Sequence, residues 1–99
     1  MSIEKFSVEK VLSVQRWTNT LFSFTMTRPA HFKLTAGQFA RIGLKVGDEL
    51  VVRAYSIVSS PFDETLEFFS IVVPDGAFTS NLQHLQVGDE LYLEKIPYG

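Results

Sequence analysis

Apolar residues recur at every second position along most of this chain, in short segments separated by clusters of Gly, Pro, Asp and Asn. That period belongs to half-buried β-strands. The clearest run sets Phe22, Phe24 and Met26 in alternation with Ser23, Thr25 and Thr27, which predicts a strand with one buried and one wet face. An earlier strand, about Phe6 to Gln15, starts in phase at Phe6 and Val8. It then places Val11 and Leu12 side by side, so a bulge or twist is expected to shift the register there. Pro29 blocks ladder donation and ends the second strand, and Ala36-Gly37 turns into a third over about Gln38 to Leu44. The fourth, Leu50 to Ser59, is stopped by Pro61. The fifth, Leu66 to Val73, precedes the turn Pro74-Asp75-Gly76, and a sixth covers about Glu90 to Ile96. Short strands of this number hide their edges best by closing on themselves, so the pattern predicts an all-β, six-stranded antiparallel barrel with Greek-key-like connections.

One segment leaves the period of two. From Thr79 to Leu85, Leu82 and Leu85 stand three apart and Ser80-Asn81-Leu82-Gln83 fits a capping box, which predicts one short helix plugging an end of the barrel. A near-repeat, Leu44-Lys45-Val46-Gly47-Asp48-Glu49-Leu50 against Leu85-Gln86-Val87-Gly88-Asp89-Glu90-Leu91, reads as shared turn chemistry rather than duplication. In both copies a Gly free to take positive φ is followed by Asp-Glu leading into a strand.

Composition narrows the function classes. The 99 residues are one domain's worth of chain, too short for a complete multidomain enzyme, and 45% hydrophobic with 20% charged is globular. A net charge of -2 leaves no surplus cation to displace counterions from a phosphate backbone, so nucleic acid is disfavoured as a partner. The absence of Cys excludes a disulfide framework, Cys-ligated zinc or iron–sulfur centres and a thiol nucleophile. Charged residues interrupt Met1 to Lys10, and no run approaches the roughly 20 apolar residues that cross a bilayer. The chain thus reads as soluble, cytoplasmic and free of membrane.

The familiar catalytic patterns are missing. His31 and His84 are far apart with no metal-ligand spacing around them and are expected on the surface or in turns, so no metal site is assigned. No Gly-x-Ser-x-Gly, Gly-x-Gly-x-x-Gly or Walker loop occurs, so any reaction rests on a bound cofactor. Two segments remain. Arg53-Ala54-Tyr55-Ser56 lies within the fourth strand, where alternation sends Arg53 and Tyr55 to one face about 7 Å apart and Ser56 to the other. A solvated Arg beside a half-buried Tyr is the plain alternative. Pro74 to Ser80 delivers the chain to the helix start, where free N–H groups and the helix dipole suit a phosphate; Thr79 or Ser80 serving simply as the cap is the plain alternative.

Taken together, Arg53-Ala54-Tyr55-Ser56 and Pro74-Asp75-Gly76 with Thr79-Ser80 resemble the FAD-binding domain of bacterial ferredoxin–NADP reductase, also called flavodoxin reductase. Trp17-Thr18, Leu21-Phe22-Ser23, Thr35-Ala36-Gly37-Gln38-Phe39, Leu66-Glu67-Phe68 and Val87-Gly88-Asp89-Glu90 follow in that family's order, so the likeness spans the chain. Arg-x-Tyr-Ser alone marks a broad superfamily, and the Pro-Asp-Gly turn narrows it to the bacterial branch. The resemblance implies that Arg53 grips the FAD pyrophosphate with a guanidinium fork, and that Tyr55 packs on the isoalloxazine or bonds the ribityl chain. Ser56 would lie near flavin N5, with Tyr55 and Ser56 the residues closest to the chemistry. Ala54 completes the motif, Phe69, Ser70, Ile71 and Val72 line the adjacent strand and supply backbone groups, and Ala77, Phe78 and Thr79 set amides against the phosphates.

In the full family, electrons pass between NADPH and ferredoxin or flavodoxin through FAD, and NADPH binds a second, α/β domain. The expectation is therefore a monomeric FAD-binding barrel over residues 1–99, lacking that NADP-binding domain and incomplete for catalysis by itself. Two alternatives stay open. One is a flavin domain with another acceptor, as in oxygenase reductases or flavohaemoglobins. The other is a small barrel used for protein interaction or for stacking oligonucleotide bases, which the sparse basic residues argue against.

Overall fold

The computed structural model describes residues 3–72 and 81–98. After a 3-10 turn at Ile3–Lys5 come β1 (Phe6–Arg16), β2 (Leu21–Thr27), β3 (Phe39–Val46), β4 (Glu49–Ser56), β5 (Thr65–Ile71) and β6 (Glu90–Glu94). The order across the sheet is β4-β3-β6-β1-β2-β5, and every named pairing is antiparallel. The doubled apolar pair at Val11-Leu12 does what its pattern predicts. The β1–β2 register shifts between Val11 and Ser13, so Phe6 to Lys10 pair with β6 while Val11 to Arg16 pair with β2. One strand thereby serves two halves of a strongly curled sheet, because a bulge adds bend and twist where a flat sheet would need a corner.

Alternation then fills the concave side. Phe22, Phe24 and Met26 of β2 meet Leu66 and Phe68 of β5, Ala40 and Ile42 of β3, and Leu91 and Leu93 of β6 in one core. Phe24 sits among Phe22, Phe68 and Tyr55, with ring centroids 6.1, 5.6 and 6.4 Å away. Of the expected helix Thr79–Leu85, Thr79 and Ser80 lie outside the described residues. Asn81 and Leu82 carry helical backbone. The amides of His84 and Leu85 then reach back to the carbonyls of Asn81 and Leu82 at 3.2 and 2.9 Å. Leu82 and Leu85 are buried in the core.

Both copies of the near-repeat turn at a glycine in the left-handed region, Gly47 at φ 63° and Gly88 at φ 94°, as shared turn chemistry requires. The sheet is a curled half-barrel whose edges, β4 and β5, approach without a strand ladder between them. Beyond the end of β4, the Val58 amide donates to the Glu67 carbonyl of β5 at 3.0 Å. Arg28 fastens the loop that follows. Its guanidinium donates to the carbonyls of Phe32 at 2.9 Å, Pro61 at 2.7 Å and Asp63 at 3.0 Å.

Candidate functional site at the β4 edge

The seam between β4 and β5 brings Tyr55 and Ser70, two of the residues the sequence singles out, into contact. On β4, Arg53 pairs with Ile42 and Tyr55 with Ala40, both of which are fully buried. Arg53 and Tyr55 therefore share the concave side, Tyr55 half-buried over the core and Arg53 exposed at its rim. The Tyr55 ring stands edge-on to Phe24 at 77°, and its hydroxyl lies 3.1 Å from the hydroxyl of buried Ser70 on β5. Burial raises the Tyr55 pKa, against smaller lowering effects of the Ser70 bond and the Arg53 charge, so the phenol is neutral and Arg53 is close enough for its charge to be felt. The Arg53 guanidinium donates to the Val52 carbonyl at 2.8 Å and otherwise faces solvent.

Backbone direction adds what side chains do not. The Phe39 amide and carbonyl both bond Tyr98, at 2.9 and 2.8 Å, on the side of β3 away from β4. Phe39 and Ser56 are register partners, so theirs is the non-hydrogen-bonded kind of antiparallel pair, and the Ser56 N–H and C=O point outward from the sheet edge. By the same alternation Ala54 also turns its backbone groups outward, while the Ile57 amide returns to the Gln38 carbonyl at 3.1 Å. An open edge with directed donors and acceptors at Ala54 and Ser56, a cation at Arg53 and a ring at Tyr55 can seat a planar, hydrogen-bonding heterocycle that carries phosphate.

The remaining candidates divide. Ser70 meets Tyr55, and Val72 packs against the core with its amide on the Thr20 carbonyl at 2.7 Å. Phe69 and Ile71 project from the opposite, convex side, where Phe69 lies 6.5 Å from Trp17, so at this seam they offer backbone only. Ala77, Phe78 and Thr79, with the Pro74-Asp75-Gly76 turn, lie outside the described residues. His31 and His84 are exposed, and the described residues hold no cluster of three or more His, Cys, Asp or Glu suited to a metal. Among the described residues no helix is long and apolar enough to cross a membrane.

Sequence reasoning passed over the group beside Ser56 on the convex face. Phe39 stacks on Tyr98 at 5.5 Å and 16°, and the Arg41 guanidinium lies 3.4 Å from buried Glu94. No local pattern marks it, because Tyr98 reaches Phe39 across nearly sixty residues of chain.

Comparison with known proteins places the chain in a family. Residues 5–99 match the family described as the oxidoreductase FAD-binding domain. The chain is 54% identical over 91 residues to a ferredoxin–NADP reductase of Pseudomonas aeruginosa, covering 92% of this chain and 35% of that protein. It is 50% identical over 97 residues to the ferredoxin–NADP reductase of Azotobacter vinelandii, covering 98% of this chain and 38% of that one. The crystal structure of a ferredoxin NADP+ reductase from Neisseria gonorrhoeae with bound FAD and NADP superposes with a TM-score of 0.93 at 38% identity, over 96% of this chain and 39% of that one. The chain thus spans little more than a third of the length of these relatives. It belongs to the oxidoreductase FAD-binding domain family, in the form found in bacterial ferredoxin and flavodoxin–NADP reductases.

Proposed function

We propose that this chain holds FAD at the β4–β5 seam and forms the flavin half of a reductase that exchanges electrons between NADPH and ferredoxin or flavodoxin. The observation that carries the reading is the outward-facing backbone of Ala54 and Ser56, flanked by Arg53 and Tyr55, on an edge left open by the curl of the sheet. Arg53 binds pyrophosphate oxygens, a role suited to an exposed fork that stays charged at any working pH. Tyr55, braced by Phe24 and Ser70, packs against the cofactor and keeps water from its inner side. The edge amide and hydroxyl of Ser56 orient the ring near N5, Ala54 adds a second pair of edge groups, and the residues from Phe69 to Val72 border the seam from β5. Ala77, Phe78 and Thr79 complete the phosphate cradle in this reading. Bound FAD supplies the conversion between two-electron hydride chemistry and one-electron transfer.

The relatives' names support the electron donor and acceptor, and their greater length leaves room for the NADPH-binding part of such a reductase. Titration of FAD into the purified chain should quench flavin fluorescence, and Arg53→Ala should weaken binding by about 1 to 3 kcal/mol, as loss of a charge-assisted contact does. Equal silence of both proteins at millimolar concentrations of FAD overturns the site. For the complete protein, NADPH should bleach the flavin absorbance and ferredoxin or flavodoxin should restore it. Failure of either half-reaction removes the corresponding partner.

A further inference from the structure

The site strand β4 is an edge, so everything that fixes Ser56 on its sheet side comes through β3, and at that point β3 has lost its other neighbour. The β3–β6 register comprises Ile42–Leu93 and Gly43–Tyr92, and Phe39 lies beyond it. After Glu94 the chain bends away through Lys95 and Ile96 and comes back at Tyr98, which takes the place β6 has vacated. Two backbone bonds to Phe39, at 2.9 and 2.8 Å, and the ring stack at 5.5 Å hold it there. Three residues consequently form a row across the convex face, Ser56, Phe39 and Tyr98.

A second row locks the first. Arg41, register partner of Ala54, bonds Glu94 at 3.4 Å and the Tyr98 hydroxyl at 3.4 Å, and its guanidinium carbon lies 5.9 Å from the Tyr98 ring centroid. The Tyr98 hydroxyl donates to Glu94, a carboxylate only 6% exposed. A buried carboxylate is tolerable only when its partners are fixed, so Glu94 holds Arg41 and Tyr98 to one arrangement.

We propose that Tyr98 is a positioning residue for the flavin site, a strap that holds the Phe39 end of β3 in place and through it sets the direction of the Ser56 edge groups. The inference rests on the reading of Ser56 given above, and it concerns a residue that need not touch FAD. Removing the strap leaves the Phe39–Ser56 end of a two-strand ribbon supported from one side only, and such an end frays.

The test uses this chain as wild type, Tyr98→Leu, Tyr98→Phe and Arg53→Ala, each titrated with FAD at a temperature where melting curves show all four folded. Tyr98→Leu should raise the FAD dissociation constant roughly tenfold, the effect of losing about one hydrogen bond's worth of placement. It should also change the circular dichroism of the bound flavin and speed hydrogen exchange at the Phe39 amide. Tyr98→Phe keeps the ring stack and the backbone bonds but loses the hydroxyl's contacts with Glu94 and Arg41, so it should restore part of the affinity and the dichroism. A merely stabilising role would lower the melting temperature and leave affinity and dichroism alone. Should Tyr98→Leu bind like wild type while Arg53→Ala binds weakly, the strap is overturned and the site stands. Should Arg53→Ala also bind like wild type, both fall together.

Discussion

The hydroxyls of Tyr55 and Ser70 stand 3.1 Å apart and tie the two edge strands of the sheet to one another, across the seam where the fold stops short of a closed barrel. Tyr55→Phe keeps the ring against Phe24 and removes only this tie. Urea unfolding should show a loss of about 0.5 to 1.5 kcal/mol, the usual net worth of one hydrogen bond. A change below a few tenths would mean that the seam is held by packing alone.

The same phenol gives stability an alkaline dependence. Burial, outweighing the Ser70 bond and the Arg53 charge, raises its pKa above the ordinary 10.0, so the fold prefers the protonated form. Its contribution is whole below the ordinary value and is lost as pH rises through the higher folded value, because the unfolded chain gives up the proton first. Stability of the wild type should therefore fall more steeply above about pH 10 than that of Tyr55→Phe. Parallel curves from paired melts would show that Tyr55 does not carry the effect.

Arg28 serves three backbone carbonyls on two loops, those of Phe32, Pro61 and Asp63. Arg28→Ala should cost about 1.5 to 3 kcal/mol in chemical unfolding, since these are charge-donated bonds. Arg28→Lys should recover only part of it, because an ammonium lacks the planar fork that reaches Phe32 and Pro61 together. Full recovery by lysine would reduce Arg28 to a nearby positive charge.

Gly43 lies under Leu50 and Tyr92 on the convex face. A Cβ there would meet Leu50 Cδ1 at 2.8 Å and Tyr92 Cβ at 3.2 Å. Gly43→Ala should destabilise by about 1 to 3 kcal/mol through overpacking. Adding Leu50→Ala should remove part of that penalty, and a double-mutant cycle measures how much. Simple additivity would place the strain elsewhere.

Phe24 is fully buried and braces Tyr55 from below. Phe24→Ala should cost about 3 to 5 kcal/mol. Phe24→Leu, a smaller loss, should keep the fold while weakening FAD binding through a loosened Tyr55, a difference that titration of the folded variant detects.

The period-two pattern alone determined the strands, because alternation is a local property, and the boundaries it predicts at Phe22 to Thr27, Leu66 to Val73 and Glu90 to Ile96 lie within a few residues of β2, β5 and β6. It also determined the bulge, since adjacent Val11 and Leu12 have no single-register solution, and the sharing of one strand face by Arg53 and Tyr55. Tertiary structure decided how completely the curl closes, which leaves β4 and β5 as edges rather than neighbours in a full ladder. It decided as well that the backbone of Ala54 and Ser56 faces outward, because that direction follows from the β3–β4 register and from Phe39 making its backbone bonds on the far side of β3. Glu94, one step past Leu93, is charged yet buried, and Tyr98, from the segment that follows the same strand, donates to it. Alternation records which face a side chain takes, while the partner that later covers that face depends on long-range closure of the chain.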